Sequence, residues 1–171
     1  MSVMEDINLF LAHAVELERE AARRYEELAD SMRTDGNAAV EKFFRKMAVF
    51  SRKHLALAME RGGFRQLPAL DAESYAWPDG ISPEQFDWIG VDCMIDANNA
   101  LELALDGERR GHAFYADIAA TTGDPEVRVM AEEFASEEAE HVAELEKWIG
   151  RYAPQKEKAP LGPRPNNCGI K

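Results

Sequence analysis

The chain is poor in cysteine. Cys93 and Cys168 are its only two, far apart, one within a helical pattern and the other in a polar tail. That argues against a disulfide framework and against a thiolate metal site. Positive charge is also scarce, with 20 Lys and Arg against 32 Asp and Glu and a formal net charge of −12. Such a surface repels phosphate backbones and anionic lipid, so neither nucleic acid nor a membrane is an expected partner. No apolar run approaches the roughly 18 residues of a membrane span, and "MSVMEDINLF" lacks the basic region and apolar stretch of a leader. A cytoplasmic location is the expectation. Strand-like alternation is nearly absent too, which excludes a sheet-based core.

What the sequence does have is helical period. Apolar residues recur at alternating steps of three and four in four long segments, so the fold class is all-α. The first is expected from about Val3 to Met32, with Gly36 as a left-handed terminator. The second runs from about Asn37 to Arg61 and ends at Gly62 and Gly63. The third is expected to open at Ser82 and Pro83 and to end near Gly123, with Gly90 as a break. The fourth opens at Asp124 and Pro125, a cap followed by a proline at the first helical position.

Between the second and third helices, about residues 62–82 carry prolines and glycines with no period. An extended link of that length spans about 65 Å, longer than a 25-residue helix of close to 40 Å. The short turns on either side demand antiparallel neighbours. The expected architecture is therefore two antiparallel helical hairpins joined by a long crossover, a four-helix bundle over residues 1–152. Residues 153–171, "APQKEKAPLGPRPNNCGIK", form a proline-rich polar tail that cannot build a core element.

The two hairpins repeat each other. "AVELEREAARRYEELA" aligns with "ALDGERRGHAFYADIA", placing Glu18 on Glu108 and Tyr25 on Tyr115. In the following helices "FRKMAVFSRKHLA" aligns with "AEEFASEEAEHVA", placing His54 on His141 and Ser51 on Glu138. Each of these polar residues falls on the apolar stripe of its helix. Three glutamates buried at one level need protons or a cation. Lysine and arginine are missing from the stripes at that level, so a metal ion is the economical counter-charge. Carboxylate and imidazole donors suit iron, manganese or zinc.

On these residues the chain resembles the rubrerythrin-type members of the ferritin-like di-iron carboxylate proteins, over about residues 5–150. The pattern is a glutamate seven residues before a tyrosine on the first helix of each hairpin, then Glu-x-x-His on the second. It is met by Glu18 with Tyr25, Glu108 with Tyr115, and Glu138 with His141. His54 matches the remaining histidine, and Ser51 stands where a glutamate is expected.

The resemblance implies one or two irons held by Glu18, His54, Glu108, Glu138 and His141. It also implies an oxidoreductase that reduces peroxide or dioxygen, or oxidises ferrous iron, with no catalytic residue beyond the ligands. Two cysteines cannot build the four-thiolate iron module of full-length relatives, so an external electron donor such as a rubredoxin-type protein is expected, and a homodimer. The alternative is a bundle that binds iron or zinc for storage, delivery or structure without turnover.

Ser51 removes one carboxylate from the expected set, and His112, one turn after Glu108, is a candidate replacement ligand. The place of a further glutamate found in such relatives is taken by Gly111. Ser51, Tyr25 and Tyr115 are expected around the metal rather than on it, the tyrosine hydroxyls bonding a glutamate of the opposite hairpin. Glu137 could replace Glu138, but Glu138 continues the stripe. His13 lies off the stripe and is expected at the surface.

Overall fold

The computed structural model describes residues 4–63, 66–85 and 95–152. They form four long helices, α1 (Ile7–Thr34), α2 (Ala38–Arg61), α3 (Ala97–Thr121) and α4 (Pro125–Tyr152), with two single 3₁₀ turns at Ala72–Ser74 and Pro78–Gly80. No strand occurs among the described residues. No described helix is long and apolar enough to cross a membrane.

The caps explain the boundaries. The Asp6 carboxylate accepts from the amides of Asn8 and Leu9, Asn37 from Val40, and Asp124 from Glu126 and Val127. Each satisfies amides that the first turn leaves without an intrahelical partner. Gly36 takes φ +76°, the left-handed turn that lets α2 fold back on α1. A comparably short link, Thr122 to Asp124, folds α4 back on α3. The Thr122 hydroxyl donates to the Met4 carbonyl at 2.7 Å, tying this turn to the start of the chain. The result is two antiparallel hairpins joined by one long crossover, a ferritin-like four-helix bundle.

The start of α3 differs from expectation. Asp96, with extended backbone and its carboxylate on the Asn99 amide, caps a helix that begins at Ala97. Ser82 instead sits in a local turn, its hydroxyl donating to Glu20. Gly90 lies outside the described residues, as does the tail from 153 onward.

The crossover packs on the bundle rather than bridging it through solvent, and this overturns the surface placement of His13. His13 is fully buried beneath Tyr75 and Trp77, with Phe114 on its other side. Its Nδ1 is 2.8 Å from the Leu9 carbonyl and its Nε2 2.8 Å from the Ala76 amide. Those partners select a neutral ring with hydrogen on Nδ1, which donates to Leu9 while Nε2 accepts from Ala76. Period along α1 alone could not reveal a cover supplied by a segment sixty residues on.

The hydrophobic core is in two parts. One gathers Tyr25, Leu28, Met32, Phe44, Met47, Leu101 and Leu145. The other gathers Phe10, Leu11, Leu17, Phe114, Tyr115, Ile118 and Phe134. Between them lies a band of buried polar side chains.

Candidate metal centre

Within that band Glu108 from α3 meets Glu138 and His141 from α4. Each offers a carboxylate oxygen or ring nitrogen, and these atoms all lie within 4.8 Å of one another, with all three residues buried. The i, i+3 spacing puts Glu138 and His141 on one face of α4. His141 Nδ1 is 3.1 Å from Glu108 Oε2 and 4.0 Å from Glu138 Oε2. The Tyr25 hydroxyl donates to Glu108 Oε1 from the opposite hairpin. Its repeat partner Tyr115 behaves differently, because its buried hydroxyl has no hydrogen-bond partner among the described residues.

A looser group continues the band. The His54 ring stacks on His141, with centroids 5.1 Å apart and planes 10° from parallel. Its Nδ1 lies 3.8 Å from Glu18 Oε1 and 3.6 Å from Glu137 Oε2. Both Glu137 and Glu138 face inward, Glu138 toward Glu108 and Glu137 toward His54. Ser51 is buried at 1% exposure, one turn before His54.

His112 is only half-buried and lies outside the cluster. Gly111, three residues after Glu108 rather than four, is the position that faces Glu138. A Cβ there would stand 3.4 Å from Glu138 Oε2. At 100° per residue, i+4 turns His112 off the seam that Gly111 occupies.

Burial sets the electrostatics. It pushes the carboxyls of Glu18 and Glu138 well above the usual carboxylate range, and the nearby Glu108 pushes both further. Burial would raise Glu108 too, but hydrogen bonds from Glu138, His141 and Tyr25 bring it down to about 2. The two carboxyls are thus driven in opposite directions, Glu138 toward its protonated form and Glu108 toward its ionised one. His54 is pushed down to about 4 by burial and by His141. For His141 burial works downward, yet its bond to Glu108 raises it.

The donor set fits a cation. Glu138 Oε2, Glu137 Oε2 and His54 Nδ1 are buried without a hydrogen-bond partner among the described residues. Orphaned donors and acceptors of this kind cost free energy until something binds them. Two carboxylates and an imidazole at this spacing can close on one divalent ion, with Glu18 and His54 beside it.

The family model described as rubrerythrin matches residues 10–62 and 99–165. The chain belongs to the rubrerythrin family. A crystal structure of an uncharacterised conserved protein from Magnetospirillum magnetotacticum MS-1 is similar to this rubrerythrin-family chain at 39% identity and a TM-score of 0.70, covering 91% of this chain and 96% of that one. No curated protein matches it.

Two buried residues near the centre of this rubrerythrin-family bundle escaped the sequence reading. Arg24 is 3% exposed, a buried cation that the stripes, which themselves lack lysine and arginine at this level, do not reveal. It sits one position off the α1 stripe and is buried because the crossover covers it. There its guanidinium pairs with the Glu84 carboxylate and also donates to the Glu84 carbonyl. Gly107 of α3 makes the room, since a Cβ at that position would come 2.7 Å from Arg24 Nη2. Glu84, 2% exposed, belongs to a segment without period, so no stripe marks it. The family match itself skips residues 63–98.

Proposed function

We propose that the protein is a non-haem iron oxidoreductase of rubrerythrin type, which reduces peroxide or dioxygen or oxidises ferrous iron. The observation that carries this reading is the buried Glu108, Glu138 and His141 group, whose Glu138 Oε2 has no hydrogen-bond partner. Glu108, Glu138 and His141 would hold one ion, and Glu18 and His54, with Glu137 beside them, a second. Bound iron would supply the electrons that reduce the oxidant.

The chain's own residues do the rest. His54, neutral at pH 7, keeps a lone pair available for a ligand. Tyr25 anchors one oxygen of Glu108 and leaves Oε2 facing His141. Loading would favour the ionised form of Glu138, because a cation supplies the counter-charge. The apolar clusters above and below the band limit water at the site. A rubredoxin-type electron donor and a homodimeric assembly in the cytoplasm complete the proposal.

Ser51 favours one competing reading. With a carboxylate missing from the repeat, the bundle could hold iron or zinc for storage, delivery or structure without turnover. Anaerobically loaded ferrous protein mixed with peroxide separates the two. Oxidation of the bound iron, read as new near-ultraviolet absorption together with loss of peroxide, supports the enzyme. Iron that stays ferrous with peroxide unconsumed would overturn it.

A further inference from the structure

Glu84 is buried on the crossover with its two carboxylate oxygens in different circumstances. Oε2 faces the Arg24 guanidinium, whereas Oε1, beside the notch at Gly111, has no hydrogen-bond partner among the described residues. A Cβ at Gly111 would lie 3.6 Å from Glu84 Oε1 and 3.4 Å from Glu138 Oε2, so the two oxygens flank one small gap. Neither has a hydrogen-bond donor among the described residues. Two buried carboxylate oxygens on either side of a gap repel each other unless a proton or a cation sits between them. Arg24 pairs with Glu84 Oε2, and its charge also acts on Glu138. Glycine leaves the gap open, and almost any other residue at 111 would put a side chain into it.

We propose that Glu84 is a metal ligand supplied by the crossover, reaching the centre through the notch at Gly111. This rests on the metal-binding reading above. The centre would then be built from all four helices and the crossover.

The test is anaerobic titration of the full-length protein with cobalt(II), following both the binding isotherm and the visible cobalt band, which reports the ligand set. Glu84→Gln keeps the shape and removes the charge. It is expected to weaken one equivalent at least tenfold and to alter the band, while circular dichroism shows the helices intact. Gly111→Ala, which leaves the Arg24 pair in place but fills the notch, is expected to weaken the same equivalent. If Glu84→Gln fails to fold because the buried Arg24 loses the charge of its carboxylate partner, Arg24→Met with Glu84→Gln removes the pair together and is read in the same way. An unchanged isotherm, or a weaker one with an unchanged band, would overturn ligation by Glu84. Wild-type protein that binds no cobalt at all would instead overturn the metal-binding reading on which the proposal rests.

Discussion

Tyr25 and Tyr115 occupy equivalent positions in the repeat, are both fully buried, and differ in what the hydroxyl meets, which makes them an informative pair. The Tyr25 hydroxyl donates to the ionised Glu108 carboxylate, whereas the Tyr115 hydroxyl has no partner among the described residues. Replacement by phenylalanine leaves ring packing almost untouched in both cases, so cavity terms cancel. For Tyr25→Phe the loss is one hydrogen bond to a charged group, about 1.5–3 kcal/mol. At about 2–4 °C per kcal/mol for a chain of this size, that lowers the melting temperature of metal-free protein by about 3–12 °C. Tyr115→Phe removes a hydroxyl whose desolvation nothing compensates, so its effect is neutral or stabilising by about 1 kcal/mol. The assay is thermal and urea unfolding in chelator, followed by far-ultraviolet circular dichroism. Equal losses in the two variants, or the larger loss at Tyr115, would refute the asymmetry and with it the picture of Glu108 as the ionised partner.

Other consequences are as direct. A divalent ion binding only the folded state at 100 times its Kd adds about 2.7 kcal/mol, so loading ferrous iron or cobalt raises the melting temperature by about 5–11 °C; His141→Ala is expected to abolish most of that rise. His112→Ala leaves metal stoichiometry and affinity unchanged, as equilibrium dialysis checks; a lost equivalent would restore it as a ligand. His13 is buried neutral and its folded pKa is lowered from 6.5, chiefly by burial. The unfolded chain therefore takes up its proton first, and the stability His13 contributes is full above about pH 6.5 and lost as pH falls through the lower folded value. The urea midpoint difference between wild type and His13→Gln should shrink from pH 7.5 to 5.5, and a constant or growing difference would count against the neutral pin.

The residues that could be read in advance are those whose environment is their own helix. Glu18, Glu108, Glu138 and His141 each break an apolar stripe at a matched level, and helical period carries them inward whatever lies across the bundle. Asp124 with Pro125 and Gly36 with Asn37 announce their turns by local chemistry. His13, Arg24 and Glu84 were hidden for the opposite reason. Their burial is set by the path of the crossover, which has no period to read. Asp96 was missed as a cap because Ser82 and Pro83 offered an equally good signal earlier in the chain. Glu137 lies one residue off its stripe, yet its side chain is long enough to reach His54. Gly111 was read as a missing glutamate, although the space it leaves matters as much as the group it lacks.

The central claim is that the band between the two apolar clusters is a metal centre. Crystals loaded anaerobically with ferrous iron and measured on both sides of the iron absorption edge test it most directly. The account predicts an anomalous peak bounded by Glu108, Glu138 and His141, with any second peak on the side of Glu18 and His54. Loaded crystals with no peak in the band would contradict it.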